Sequence, residues 1–167
     1  MVENAVMISI RPTWAYLICI GSKTVEIRKT APKIKPPFKC FIYCTKPKEK
    51  YGDVIQTGKA HYYGGGKVVG EFVCDAIEKL DMDSAGLLID RTKEYTDWNP
   101  CMTKVELLQY TGGMKPYGWH ISDLKIYDQP KPISDFKRWQ GTGAWSTLER
   151  LKRAPQSWCY VDGGLIG

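Results

Sequence analysis

Histidine is scarce in this chain: His61 and His120 are the only two in 167 residues, and they lie far apart. The six cysteines, Cys19, Cys40, Cys44, Cys74, Cys101 and Cys159, include no Cys-x-x-Cys pair. Together these absences exclude the ligand spacing of a structural zinc site, and neither a metal nor a cofactor is expected. Long apolar runs are missing as well. None approaches the roughly 18 residues that a membrane-spanning helix requires, and no charged-then-apolar leader is seen. The expectation is a soluble, cytoplasmic protein with no membrane partner, whose cysteines stay free thiols in a reducing compartment. Internal repeats and low-complexity tracts are also absent.

What is present suits one domain. A hydrophobic content of 43% over this length supports one sizeable core and makes two ordinary domains uncomfortable. The 24 Lys and Arg against 18 Asp and Glu give a net charge of +6, which favours encounters with polyanions. Its distribution is uneven. Residues 33–50 hold six lysines and one glutamate, and from Lys137 onward five basic residues face two acidic ones. Two readings stay open for these stretches, a solvated basic surface or a nucleic-acid footprint.

Along the chain, residues 5–10 are apolar and β-branched enough for a strand, and Pro12 then fits the first turn of a helix. Trp14, Leu17 and Ile18 fall at i, i+3 and i+4, which predicts them as that helix's core face, with the end near Ile20 before Gly21. Residues 24–29 alternate, placing Val25 and Ile27 on one face of a half-buried strand and Thr24, Glu26 and Arg28 on the other. After a proline-punctuated loop, residues 38–45 read as a strand with Phe41, Tyr43 and Thr45 on one side. Cys40 and Cys44 share the parity of Ile42 and point to the core, which argues against a catalytic cysteine.

Residues 46–66 show no sustained period and read as a long loop. Within it, Gly64-Gly65-Gly66 is a flexible turn rather than a phosphate loop, since no helix start follows. Residues 67–80 form a long strand in which Gly70 marks a bulge or a close backbone approach. Thr103 and Glu106 make a capping box for a short helix to about Tyr110, and residues 117–127 are the last strong strand, closed by Pro130 and Pro132. His120 is read as packing or hydrogen-bonding within that strand. Composition changes near residue 136, so the organisation drawn is a domain over residues 1–136 and an Arg/Trp-rich extension over 137–167. Its tryptophans, Trp139, Trp145 and Trp158, are expected to pack on the domain, because exposed indoles make a costly apolar surface.

The runs Ile8-Ser9-Ile10-Arg11-Pro12, Gly21-x-Lys23-x-x-Glu26-x-Arg28 and Phe41-Ile42-Tyr43-Cys44-Thr45-Lys46-Pro47 resemble, in order and spacing, the ASCH (activating signal cointegrator homology) family. Val69-Gly70-Glu71-Phe72 and Tyr117-Gly118-Trp119-His120-Ile121 are similar to its later strands, so the resemblance covers residues 5–136. It implies an α+β fold: a small, partly open PUA-like β-barrel with a helix after the first strand and a short helix before the last. It also implies a cleft between the first helix and the sheet, faced by Lys23, Glu26 and Arg28.

A base edge needs such a mixed set, in which a carboxylate accepts from an exocyclic amine while lysine or arginine donates to carbonyl or phosphate oxygens. Tyr43 and Trp119 are the candidate stacking faces, and Thr45 completes the candidate ligand-binding set. The bland alternative is that Glu26 and Arg28 are the solvent side of an amphipathic strand. The expected partner is RNA or a nucleotide-like ligand. A second reading is a hydrolase acting on a modified nucleoside or on RNA through the same cleft, and a third is a protein-interaction domain. Against the second, the family's nucleoside amidohydrolases place a catalytic threonine where this chain has Glu26, and the region before Trp98 offers Asp97 but no matching glutamate. Catalytic residues are therefore left unassigned.

Overall fold

Strand β1 (Asn4–Ile10) buries every residue after Asn4, because neighbours flank it on both sides and cores cover both its faces. Pro12 opens helix α1 (Pro12–Cys19), where the missing N–H of proline costs nothing. The buried line of α1 is Pro12, Ala15 and Ile18. The expected face is thus shifted: Ile18 is in the core, Trp14 packs against it half-buried, and Leu17 is only half-buried. Gly21, at φ +79°, turns the chain away after the helix. In this computed structural model the backbone is described for residues 4–46, 55–57, 60–62, 65–83, 86–88 and 98–164, and side chains for 4–46, 65–80 and 98–164.

Next come β2 (Val25–Arg28), β3 (Phe38–Cys44) and, within the stretch expected to be one long loop, a hairpin of β4 (Ile55–Thr57) and β5 (Ala60–Tyr62). Gly65 and Gly66 make the turn into β6 (Lys67–Lys79); Gly64 and Asp97 lie outside the described residues. A small ribbon of β7 (Asp81–Asp83) and β8 (Gly86–Leu88) follows. Helix α2 (Lys104–Thr111) starts at a complete capping box, with Thr103 and Glu106 bonded in both directions. It leads to β9 (Tyr117–Lys131), which runs through Pro130 instead of stopping before it.

The chain then forms the ribbon β10 (Lys137–Gln140) and β11 (Thr147–Arg150), and finally β12 (Trp158–Asp162). The composition change at residue 136 marks no break in the sheet, since β12 pairs antiparallel with β1. Packing of the three tryptophans is not uniform. Trp158 lies against the core, whereas Trp139 is 44% and Trp145 89% exposed.

The main sheet has the order β12-β1-β3-β6-β9-β2. Among the described strands only β1 and β3 pair in parallel; α1 and β2 supply the long crossover that a parallel pair needs. Register shifts break the β6–β9 pairing in three places, one of them at Gly70, where an added Cβ would lie 2.5 Å from the Lys125 carbonyl oxygen. Bulges bend a sheet, and here the two ends of the sheet come close enough for side chains to join them. Arg28 on β2 donates to the Ser9 carbonyl of β1 at 2.6 Å, Trp158 on β12 donates to Thr30 Oγ1 at 3.0 Å, and the Lys33 amide donates to Tyr160 Oη at 2.7 Å. The expected α+β, partly open barrel forms, with its seam between β2 and the β1/β12 end closed by side chains.

Two cores lie on opposite faces of this curled sheet. The larger contains Ile8, Ile18, Ile42, Phe72 and Trp119, with Cys40, Cys44 and Cys74 among them. The smaller contains Met7, Phe41, Phe136, Leu151 and Val161. A third cluster, Val25, Ile27, Leu80 and Leu107, seats α2 on the sheet. All six cysteines are free thiols. Among the described residues, no helix is long and apolar enough to cross a membrane.

Candidate functional site

The candidate motif begins where α1 ends. With Gly21 in the left-handed region, the amides of Ser22 and Lys23 both donate to the Leu17 carbonyl at 3.0 Å, and the chain doubles back. Lys23 is thereby turned inward and is 2% exposed. Its ammonium donates to the Pro100 carbonyl at 2.7 Å, lies 3.3 Å from Glu26 Oε2, and sits 5.2 Å from the centre of the Trp14 ring.

The other carboxylate oxygen, Glu26 Oε1, is 3.0 Å from Arg28 Nη2, which also reaches the Ser9 carbonyl. Glu26 stands opposite Trp119 and Arg28 opposite Tyr117 in the β2–β9 pairing, so both project to the sheet face of the larger core. The strand's charged face therefore points inward, and all four residues of β2 are buried. Such a network is not the weak surface ion pair of an amphipathic strand.

Two cations share one carboxylate here, leaving a net positive charge in a site whose side chains are between 1% and 10% exposed. Among the described residues Arg28 Nε has no hydrogen-bond partner. A buried donor left unmade costs free energy, on the order of 1–3 kcal/mol. Chemically, the arrangement can donate from a guanidinium and an ammonium and accept at a carboxylate within a few ångströms.

The acceptor on the lysine side is rigidly held. Thr24 and Asn99 are tied by two hydrogen bonds, from the Thr24 amide to the Asn99 carbonyl at 2.9 Å and from the Asn99 amide to Thr24 Oγ1 at 2.8 Å. Cys101 turns with φ +53°, a conformation that costs energy for a residue with a side chain, and its amide donates to Asn99 Oδ1 at 2.9 Å. That turn aims the Pro100 carbonyl at Lys23.

The other candidates do not join this network. Trp119 is 0% exposed, packed edge-on to Phe38 at 5.9 Å and against Trp158 at 5.9 Å, so neither face of its indole is open to a base. Tyr43 packs with the smaller core on the opposite face of the sheet, where burial raises its hydroxyl pKa. Thr45 is half-buried just beyond β3, its amide donating to the Ile10 carbonyl at 2.9 Å. The structure thus brings together Lys23, Glu26 and Arg28, sets Trp119 beside Glu26 as its cross-strand neighbour but with no open ring face, and leaves Tyr43 and Thr45 apart from them.

Residue reading passed over three members of the network: the Ser9 and Pro100 carbonyls and the Trp14 ring. Two are main-chain atoms, for which a side-chain motif carries no signal. It also passed over an interaction on the other face of β9. His120 Nδ1 lies 2.6 Å from Asp75 Oδ1, and the imidazole stacks on Trp98 with centroids 5.9 Å apart and planes 20° apart. The parity of His120 against Trp119 separates it from the motif, but the bulged pairing of β6 hid Asp75 as its partner. The buried thiols are poor nucleophiles at neutral pH: desolvation raises Cys40 well above its ordinary value, Cys74 to about 12 and Cys19 to about 11.

No family model and no curated protein sequence matches the chain. Solved structures do. The ASCH protein of Zymomonas mobilis is 19% identical with a TM-score of 0.55, over 95% of this chain and 88% of that one. Two of its point mutants match as well: one is 16% identical, with a TM-score of 0.61 over 98% of this chain and 92% of that one, and the other 18% identical, with 0.53 over 77% and 76%. The curled sheet, the helix after its first strand and these likenesses together show that the chain has the fold of an ASCH domain.

Proposed function

We propose that the chain is a binding module for RNA or a nucleotide-like ligand, with the contacts made at the Lys23, Glu26 and Arg28 network. The observation that carries this reading is the buried excess of positive charge in that network, together with the unpartnered Nε of Arg28. A phosphate or base carbonyl supplies the missing acceptor and compensates the second cation, while Glu26 accepts from an exocyclic amine. Lys23 orients the carboxylate from the side of Pro100. A hydrolase reading rests on one further observation, the 3.3 Å contact between Lys23 and Glu26, a base and an acid in direct reach of each other.

The test measures binding and turnover on the same variants. Arg28→Lys keeps a cation but removes the Nε donor and the fork, and it should weaken binding of a short single-stranded RNA or a nucleotide about tenfold or more, as loss of a charge-assisted contact does. Circular dichroism checks that the fold persists. Affinity that ignores both Arg28→Lys and Glu26→Gln would sink the proposal. Product seen by chromatography from acylated cytidines or RNA, and lost in Glu26→Gln, would replace binding with hydrolysis.

A further inference from the structure

We infer that the ribbon of β10 and β11 is a separate docking surface for a single-stranded nucleic acid, independent of the reading given to the Lys23 network. Opposed residues of an antiparallel pair share a face. One face of the ribbon therefore carries Lys137, Trp139, Leu148 and Arg150, and the other Arg138, Gln140, Thr147 and Glu149. On the first face Lys137 stands directly opposite Arg150, an exposed like-charge pair whose repulsion an anion between them would relieve.

Trp139 is 44% exposed beside that pair, and Trp145, in the turn joining the two strands, is 89% exposed. The ribbon is no part of the six-stranded sheet, so these indoles stand where a partner can reach them.

Charge around the ribbon is mostly positive. A groove of about 760 Å³ beside it is lined by Arg138, Arg150, Lys152 and Arg153, with Glu149 as its one acidic residue. Among the described residues these cations have no ion pair within 4 Å: Arg150 donates to the Ser134 carbonyl at 2.9 Å, Arg138 donates to the Gln140 side-chain oxygen at 2.6 and 2.7 Å, and Glu149, opposite Arg138 in the pairing, accepts from Thr147 Oγ1. Trp139 shares its ribbon face with Lys137 and Arg150, and Arg150 also borders the groove, so an exposed indole stands next to cationic groups as a match for unstacked bases and their phosphates. A duplex hides the base faces that the indoles would stack on. An acidic polypeptide would meet the cations but leave Trp145 unexplained, and a second copy of this chain would bring like charge against like.

The experiment titrates the full chain into labelled oligouridylate and oligothymidylate of about 12 nucleotides, at two salt concentrations. Trp145→Ala removes an exposed side chain, so the fold survives, and affinity for both oligomers should fall about tenfold, as loss of one base-aromatic stack does. Lys152→Glu with Arg153→Glu should weaken binding further and flatten its salt dependence. The inference is overturned if these variants bind as tightly as the wild-type chain, or if a duplex or polyglutamate competes as well as the single strand. Arg28→Lys separates the two sites. Binding lost there but kept in the ribbon variants refutes this surface and leaves the Lys23 reading standing; the reverse pattern supports the surface and refutes that reading.

Discussion

Glu26 is held between Lys23 and Arg28, with its side chain 7% exposed, and that geometry sets how the three residues respond to change. Removing the carboxylate charge leaves two buried cations facing each other without compensation, a loss that typically costs about 3–5 kcal/mol. We expect Glu26→Gln to lower stability by that order in urea melts, and a loss below about 1 kcal/mol would mean that water already screens the site. The spacing of these residues was legible from the Gly21 to Arg28 run alone, since strand parity places Glu26 and Arg28 together and glycine stops the helix beside them. What parity cannot tell is whether the charged face looks outward or inward. That depends on the curl of the sheet, which brings the Ser9 carbonyl from β1 and the Pro100 carbonyl from 77 positions down the chain.

At the scale of elements, the legible features were those with a local physical cause. Pro12 starts α1 by its fixed φ and missing N–H, Gly21 follows its end in a left-handed turn, and the Thr103 and Glu106 box starts α2 through hydrogen bonds within a few residues. The face of α1 was misread because eight residues make barely two turns, and Trp14, Leu17 and Ile18 form as good a stripe as Pro12, Ala15 and Ile18. Packing chose the second. Ile18 is 0% exposed, so Ile18→Ala should cost about 2–5 kcal/mol by opening a cavity. Leu17→Ala, at a half-buried position, should cost clearly less in the same urea melts. Equal losses would return Leu17 to the core face.

For the whole molecule, the least legible feature is where the sheet ends. Trp158-Cys159-Tyr160-Val161-Asp162, bounded by Pro155 and by Gly163-Gly164, has the composition of a short strand, but nothing local says that it supplies β12, the strand beside β1. Its side chains also close the barrel seam: Trp158 reaches Thr30 and packs against Trp119, and Tyr160 accepts from the Lys33 amide. Leu151 and Val161 complete the smaller core with Met7, Phe41 and Phe136. A chain ending at residue 136 loses those two buried side chains, each worth about 2–5 kcal/mol, along with the β1–β12 ladder. The sum approaches the 5–15 kcal/mol that stabilises a typical domain. The truncation also bares β1, a strand with six buried residues, as a sheet edge that invites pairing with another molecule. We therefore expect the 1–136 chain to show no cooperative urea transition and to aggregate, as followed by tryptophan fluorescence and sedimentation. Trp158→Phe in the full chain keeps the ladder and most of the apolar contact while losing the bond to Thr30, so it should unfold cooperatively at a modestly lower urea midpoint. A cooperative transition of the 1–136 chain at the full chain's midpoint would show instead that β12 only lies against a barrel already stable without it.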